Sequence, residues 1–551
     1  MSEITTDQLA SSYDYVVCGG GTSGSVVAAR LAEDAGIRVL VIESGRHSKD
    51  MENVHMTGGW SNNFDGPDDW NFITEPNAAA NNRQVKASRG RFLGGCSGCN
   101  GTLCVRGTKQ DFDDWNMAEW TGDEVWRCMS KAETFHGKDW FKADLKNHGT
   151  TGLLHTEPMD LAPISNLMLD SMQDQGLPLQ HDMFTTGDNP YGCGHAPRTV
   201  VLTQENGGQR ATAVISIDKD GKPVTVKASK EIIVSGGTYC TPAILNRSGI
   251  GAREELEPLG IKTLVNLPGV GKNLMDHLVN NAGLTTDHLL YHDDNLKESY
   301  RQWKEERRGA LSNFPFGAFA YARLDERMKD SPEWTGAPKV AGRDPMGLTN
   351  KQPNVEYFTT ECYGGPKQYA DFPIDKKHCF SIICELFSPR SRGTVKLKST
   401  NPADNPIIDH QYLSDPLDLA VLSEACAYGN EIVTKGRGTK SILKGAWPAD
   451  LTHHTYTHRD EWKPYVKDHA TTCYHPGGTA KMGKDDDPLA VLDERLRVRG
   501  VKGLRVVDVS VMPTLNQGHT QMPAYAIGER AAELIRQDAG ASNGVKSNGV
   551  H

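Results

Sequence analysis

The sequence predicts an α/β protein whose second domain belongs to the α+β class. The first observation is the length of 551 residues, because one hydrophobic core rarely grows beyond about 250–300 residues. The second is a strand, turn, helix and strand pattern within residues 13–45. The third is a strand pattern at 380–399 followed by a helix pattern at 415–436.

The N-terminal pattern is that of a nucleotide-binding βαβ unit. Apolar runs predict two strands and the helix between them, at residues 15–18, 39–42 and 26–32. In the turn, Gly19 permits a tight bend, Gly21 lets the backbone approach a pyrophosphate, and Gly24 lets the helix pack on the strand. Glu43 follows about 20 residues later, where a carboxylate accepts ribose hydroxyls. The unit predicts a Rossmann-like domain for FAD or NAD rather than NADP.

The later segments predict the elements of a second domain. At 380–399, apolar stretches rich in strand formers are broken by Pro389 and Gly393, as in antiparallel strands joined by a turn. The amphipathic run at 415–436 predicts a helix that starts near Asp415 with Pro416 in its first turn. An antiparallel sheet backed by helices is therefore expected there.

Charge and composition argue against several classes of partner. The chain has 60 Lys+Arg against 70 Asp+Glu, a net charge of −10, with no basic block, so neither nucleic acid nor a membrane surface is an expected partner. The N-terminus is polar, and no apolar run approaches the roughly 18 residues of a membrane span. We expect a cytoplasmic protein.

The twelve cysteines are scattered and are expected to be reduced thiols. The only tight cluster, Cys96, Cys99 and Cys104, lacks the second pair that a zinc site needs, so no metal is expected. The polar tail at 541–551 is expected to be disordered.

Further motifs, in chain order, resemble those of a known family. They are RGRFLGGCSGCNG (89–101), GTYCTPAILNRSGIG (237–251), LPGVGKNLMDH (267–277), YHPGGTAKMG (474–483), RLRVRGVKGLRVVDVSVMP (495–513) and QGHTQMPAYAIGERAAELI (517–535). Together with the glycine turn they extend over the whole chain. The sequence thereby resembles the glucose–methanol–choline (GMC) oxidoreductases, flavoproteins that mostly oxidise alcohols, and the resemblance implies FAD as the cofactor.

The resemblance also implies a domain division. Residues 1–155, 196–285 and 470–540 are expected to form a discontinuous FAD-binding domain, and 156–195 with 286–469 a substrate-binding domain. One departure lies at 198–212, where relatives carry a longer insertion with a strand that contacts the adenine. Either a shorter loop substitutes for that strand, or FAD binding is weakened.

Oxidation of an alcohol requires a base for the hydroxyl proton while the flavin accepts a hydride. A histidine suits this role, because its ordinary pKa of about 6.5 leaves it mostly neutral at pH 7. The resemblance assigns the base to His475 and places His519 beside it, to hydrogen-bond the substrate oxygen. Pro476 is expected to hold His475 in extended backbone geometry and so to aim its ring.

The cofactor contacts follow from the glycine turn and from the resemblance. They are assigned to Gly19, Gly21, Thr22, Ser23, Gly24, Glu43, Arg91, Gly95, Cys99, Asn100, Gly101, Asp508, Thr520 and Met522. Cys99 stands where some relatives attach FAD through a histidine. A thioether to the flavin is thus possible at Cys99, but a non-covalent contact is the favoured interpretation.

The expected function is oxidation of a primary alcohol, aromatic or from secondary metabolism, to the carbonyl, with O2 or another electron acceptor. Two alternatives stay open. One is a lyase that keeps FAD and uses the same histidines to cleave a cyanohydrin without net redox change. The other is a non-catalytic relative that has lost cofactor affinity.

Overall fold

The structure is a computed structural model, and it describes residues 3–183, 185–188, 190–195, 197–200, 213–217, 222–286, 296–312, 316–360 and 378–547. Residues 201–212, which make up most of the shortened segment, lie outside the described residues, so the consequence of that shortening stays a prediction.

The strands are β1 Tyr13–Cys18, β2 Val39–Ile42, β3 Glu133–Phe135, β4 Leu154–Pro158, β5 Leu179–Gln180, β6 Gly192–Gly194, β7 Pro197–Val200, β8 Ala213–Ile217, β9 Pro223–Val234, β10 Ile250–Gly251, β11 Val265–Asn266, β12 Leu278–Thr286, β13 Phe316–Ala322, β14 Val355–Thr360, β15 His378–Leu386, β16 Thr394–Lys396, β17 Ile407–Asp409, β18 Leu443–Trp447, β19 Thr471–Thr472 and β20 Leu504–Val506. The helices are α1 Thr22–Ala32, α2 Glu52–His55, α3 Lys109–Asp113, α4 Gly122–Ala132, α5 Pro163–Asp174, α6 Gly237–Arg247, α7 Arg253–Leu256, α8 Leu296–Arg301, α9 Pro332–Thr335, α10 Pro416–Lys435, α11 Arg459–His469 and α12 Gln521–Ser547.

The first sheet confirms the predicted α/β class and its Rossmann-like start. Its strands lie in the order β2-β1-β9-β20, and these neighbours pair in parallel. Strand β8 extends it as an antiparallel partner of β9. Helix α1 begins at Thr22, earlier than expected, since Gly21 adopts the N-cap position. Helix α12 approaches α1 so closely that a Cβ on Gly528 would lie 2.7 Å from the Cβ of Val26.

The second sheet confirms the predicted antiparallel sheet backed by helices. Its order is β18-β12-β15-β14-β13-β6-β5, with β19 also paired to β12, and the central neighbours are antiparallel. Helix α10 packs on β15. It starts as predicted, with Pro416 in the first turn and the Asp415 carboxylate accepting the N–H of Leu417 at 2.9 Å.

Two boundaries differ from expectation. Strand β12 lies almost wholly within the segment expected in the FAD-binding domain, yet it pairs with β15 and β18 of the second sheet, because both of its edges find antiparallel partners there. Helix α12 runs to Ser547, into the tail for which disorder is expected, and it continues through Gly540 and Gly544. Among the helices of the described residues, none combines the length and apolar character of a membrane span.

Candidate active site

Two buried carboxylates define the floor of the site. Glu356 on β14 and Glu385 on β15 face each other in register, so their side chains point from the same face of the sheet. Tyr321 on β13 is the cross-strand partner of Glu356. On this face the sheet packs against Leu103 and Val105, which follow the loop at 89–101. The carboxylates therefore lie on the face of the second sheet that this segment covers.

Glu385 lies against two histidines. Its Oε1 atom is 3.3 Å from Nδ1 of His475 and 3.1 Å from Nδ1 of His277, while the two Nδ1 atoms are 3.1 Å apart. A carboxylate can only accept hydrogen bonds when ionised, so Glu385 favours the tautomer of His475 that carries its proton on Nδ1. That tautomer leaves the lone pair of Nε2 for a substrate proton.

The second predicted histidine lies against the second carboxylate. Nε2 of His519 is 3.0 Å from Oε2 of Glu356, and the Tyr321 hydroxyl donates to Oε1 of the same carboxylate. The rings of His475 and His519 lie edge to face with centroids 4.6 Å apart. The structure thus brings the two predicted histidines together, although they are far apart in the sequence.

Burial sets the charge states of this cluster. It lowers the pKa of His475 to about 3, so this ring is neutral at neutral pH. Burial would also raise the pKa of Glu385, but the adjacent His277 and His475 hold it well below its usual value. Glu385 is therefore ionised at neutral pH.

The neighbouring pair behaves differently. Burial raises the pKa of Glu356 to about 7, against the opposing effect of His519. Burial also lowers the pKa of His519, but the Glu356 carboxylate outweighs it and raises that pKa above its ordinary value. These two groups share a proton near neutral pH, so His519 can donate a hydrogen bond while His475 accepts a proton.

The backbone of His475 is anchored by Asp276. The carboxylate of Asp276 accepts the N–H of His475 at 2.9 Å and the hydroxyls of Thr472 and Tyr412 at 2.5 Å each. Tyr474, the preceding residue, has a φ of 62°, a conformation that costs a residue with a side chain free energy. The anchored turn fixes the direction of the His475 ring.

The glycine turn fits a dinucleotide. A Cβ on Gly24 would lie 2.1 Å from the carbonyl oxygen of Gly19, whereas one on Gly21 would meet nothing within 4 Å. The turn thus needs Gly24 for packing and leaves open space at Gly21, the N-cap of α1, where the helix dipole and free N–H groups favour an anion. Glu43 accepts the N–H groups of Gly20 and Gly45 at 2.9 and 3.0 Å.

The loop at 89–101 lies on this turn. A Cβ on Gly95 would lie 3.0 Å from Cα of Gly21, and the hydroxyls of Thr22 and Ser97 are 2.6 Å apart. The Asn100 side chain accepts the N–H of Thr102 at 3.0 Å. Together the turn and the loop could hold a dinucleotide cofactor between them.

Other predicted cofactor residues have contacts within the protein. The Ser23 hydroxyl donates to the carbonyl of Ala524 on α12 at 2.6 Å, and Arg91 stacks over Trp70 at 5.2 Å. The Asp508 carboxylate accepts the N–H of Gly237 and the hydroxyl of Thr241 at the start of α6.

Four predicted cofactor residues are described by burial or position alone. Cys99 and Met522 are buried, Thr520 immediately precedes α12, and Gly101 follows Asn100. Their contact with a cofactor stays a prediction.

Sequence reasoning missed four residues of this site: Asp276, His277, Glu356 and Glu385. A signal exists for each. Asp276 and His277 end the motif LPGVGKNLMDH, and each glutamate interrupts an apolar strand, where a charged residue is costly unless paired.

The atoms of the two histidine–carboxylate groups are close enough to hold a cation, so the expectation of no metal stays a prediction.

A Rossmann-like sheet with a dinucleotide turn, together with a buried histidine pair, indicates an oxidoreductase that uses a dinucleotide cofactor. Comparison with known proteins identifies the family. Models of the N- and C-terminal parts of GMC oxidoreductases match residues 13–199, 194–279 and 389–528. The chain belongs to the GMC oxidoreductase family and is an FAD-dependent oxidoreductase.

Among curated relatives, the chain is 30% identical to pyranose dehydrogenase of Agaricus xanthodermus, over 95% of this chain and 92% of that protein. It is 29% identical to oxygen-dependent choline dehydrogenase of Rhizobium rhizogenes, over 95% of each. Among solved structures it is similar to formate oxidase of Aspergillus oryzae, with a TM-score of 0.87, 27% identity, and coverage of 96% of this chain and 99% of that one.

Proposed function

We propose that the protein oxidises the CH–OH group of an alcohol to the carbonyl, with His475 as the base that takes the hydroxyl proton. The observation that carries this proposal is the state of His475: a buried, neutral ring whose Nδ1 lies 3.3 Å from an ionised Glu385. When Nδ1 carries the proton, such a neutral ring has one nitrogen, Nε2, that can accept the hydroxyl proton.

The chain supplies proton transfer and orientation. When bound, FAD supplies the acceptor for the hydride that leaves the carbinol carbon. His475 takes the hydroxyl proton at Nε2, and Glu385 stabilises the imidazolium that results. His519, which shares a proton with Glu356, donates a hydrogen bond to the oxygen on which negative charge develops. The carbonyl product is released, and the proton on His475 passes to solvent.

The proposed cofactor contacts are the open N-terminus of α1 for the pyrophosphate, Glu43 for the ribose, and the covering loop for the flavin. FAD is proposed to be held without a covalent bond. Cys99 packs with Met51 and Phe92, which suits a small apolar contact. Acid precipitation tests this point: all the flavin colour should remain in the supernatant, and colour in the pellet would instead indicate a covalent bond.

The proposed substrate class is a primary alcohol with an aromatic or similarly apolar body. This rests on the aromatic rings beside the histidines, since Phe358 lies 6.1 Å from His519 and Phe387 lies 4.9 Å from His277, between ring centroids. Relatives are named for sugar, choline and formate substrates, so a panel of alcohols should include polar members. O2 or another acceptor then reoxidises the cofactor.

The test is the absorbance spectrum of the purified protein under argon, before and after addition of each alcohol and of a cyanohydrin. Oxidised flavin bands that bleach with one class of alcohol support the proposal. Cleavage of the cyanohydrin with no bleaching by any alcohol would support a lyase. A colourless protein that FAD does not reconstitute would contradict both and point to a non-catalytic relative.

A further inference from the structure

A Cys-x-x-Cys motif lies between the glycine turn and the histidine pair. Cys96 and Cys99 belong to a one-turn 3-10 helix, Gly95–Gly98, and its C-cap, where the N–H of Cys99 donates to the carbonyl of Cys96 at 3.3 Å. A 3-10 helix has three residues per turn, so side chains three positions apart lie one above the other. The Cys99 thiol accordingly lies on the Cys96 side of the turn, where it donates to the carbonyl oxygens of Cys96 and Gly95 at 3.9 and 4.0 Å.

A half-buried arginine faces the first of these two sulfurs. Nη1 of Arg89 is 3.9 Å from Sγ of Cys96 and also donates to the carbonyl of Tyr474 at 2.9 Å. The neighbouring Cys99 thiol, the charge of Arg89 and the N–H of Gly90 together lower the pKa of Cys96 to about 5, against the opposing effect of burial. The neighbouring Cys96 and burial raise the pKa of Cys99 well above its usual value.

The two thiols therefore differ in protonation state, and nucleophilic attack by sulfur requires a thiolate. The lowered pKa makes Cys96 a thiolate at neutral pH, and part of its surface is accessible, while Cys99 is a buried, protonated thiol one 3-10 turn away. A second cysteine pair provides a contrast. Cys384 contacts Cys426, but burial together with that contact raises the pKa of Cys384 well above its usual value, so it holds its proton.

We propose that Cys96 and Cys99 form a redox-active dithiol, in which Cys96 attacks an oxidant and Cys99 resolves the product to a disulfide. The oxidant we name is hydrogen peroxide. The proposal does not depend on the proposed function, because peroxide can be added to the protein directly.

The chemistry balances in two steps. First, the Cys96 thiolate attacks one oxygen of the peroxide; an S–O bond forms, the O–O bond breaks, and the hydroxide that leaves takes a proton from solvent to become water. The sulfur is oxidised by two electrons to a sulfenic acid. Second, the Cys99 sulfur attacks Sγ of Cys96; the S–S bond forms, the S–O bond breaks, and the hydroxyl leaves as water with the Cys99 proton.

This oxidation would remove the negative charge opposite Arg89. Arg89 holds the carbonyl of Tyr474, the residue that precedes His475, and the 3-10 turn contacts the glycine turn through Ser97 and Thr22. Formation of the disulfide thereby acts on two parts of the site at once, the loop over the cofactor and the turn that carries His475.

The first test measures alkylation of the holoenzyme by N-ethylmaleimide at several pH values, with each cysteine quantified by peptide mass spectrometry. An ordinary thiol with a pKa of about 8.5 slows roughly 20-fold between pH 8 and pH 6.5, whereas Cys96 should change less than about twofold. Cys240, which is also partly accessible and whose pKa is raised by burial to about 12, is the internal control and should slow with falling pH. A Cys96 rate that falls tenfold per pH unit, or no reaction at Cys96, would overturn the proposal.

The second test maps disulfides in the holoenzyme after peroxide treatment. We expect a peptide that joins Cys96 to Cys99 and has lost two hydrogen atoms, and its reversal by dithiothreitol. In Cys99→Ser, dimedone should instead label Cys96 as the sulfenic acid, whereas Cys384→Ser should behave like wild type. No 96–99 disulfide in the wild-type protein, or a flavin-bearing peptide at Cys99, would refute the proposal even if the variants fail to fold.

Discussion

Replacing Glu385 with glutamine keeps the side-chain volume but removes the charge that holds His475. The carboxylate lies 3.3 Å from Nδ1 of His475 and 3.1 Å from Nδ1 of His277, and it is fully buried. In the reaction it faces an imidazolium, so the variant loses one charge-assisted interaction in the transition state. Such interactions contribute about 1.5–3 kcal/mol, which corresponds to about 10- to 150-fold in rate.

The assay is the rate constant for flavin reduction by the best alcohol, measured anaerobically in a single turnover. E385Q should slow this step by that factor with little change in flavin content, because Glu385 lies in the second sheet and not at the glycine turn. The matched control is Glu326→Gln, which makes the same chemical change at an exposed side chain. A change of less than about threefold in E385Q, with flavin still bound, would refute the role given to Glu385.

Three further predictions concern the pH profile and the cofactor. Because burial lowers the pKa of His475, this base stays deprotonated as the pH falls, and we assign the midpoint expected near pH 7 in the rate of flavin reduction to Glu356 and His519. Glu356→Gln should abolish this midpoint. A midpoint near 6.5 that persists in the variant would contradict the neutral state given to His475. Gly24→Ala places a Cβ 2.1 Å from the carbonyl oxygen of Gly19. Overpacking of this kind costs about 1–3 kcal/mol, so FAD binding measured by fluorescence titration should weaken about 5- to 150-fold. The control Gly36→Ala, where a Cβ meets open space, should bind FAD normally. Glu43→Gln should weaken FAD about tenfold by loss of a charged acceptor, and an unchanged dissociation constant would remove Glu43 from the site.

The fold class was predictable because its signals are local. The turn from Gly19 to Gly24 and the acid at Glu43 lie within one short segment, and helix α10 starts at the expected cap, Asp415. The placement of β12 was not predictable in the same way. Its membership of the second sheet depends on pairing with β15, a hundred residues later, and hydrophobic periodicity carries no information about a distant partner.

The site shows the same division. His475 and His519 were assigned through motifs, but their partners Glu385 and Glu356 come from strands whose sequences predict only burial. A charged residue within an apolar strand signals a buried partner without saying which one. Cys96 was noted in the sequence only as part of a cluster, and the contact with Arg89 that makes it distinct depends on the folded loop.

The most direct measurement of the central claim is the anaerobic rate of flavin reduction in His475→Ala compared with wild type, using the alcohol that bleaches the flavin fastest. The control is His181→Ala, which removes an exposed histidine. Loss of a general base predicts a rate about 100- to 10,000-fold lower with flavin still bound. A rate within about tenfold of wild type, in a variant that keeps its flavin, would contradict the assignment of His475 as the base.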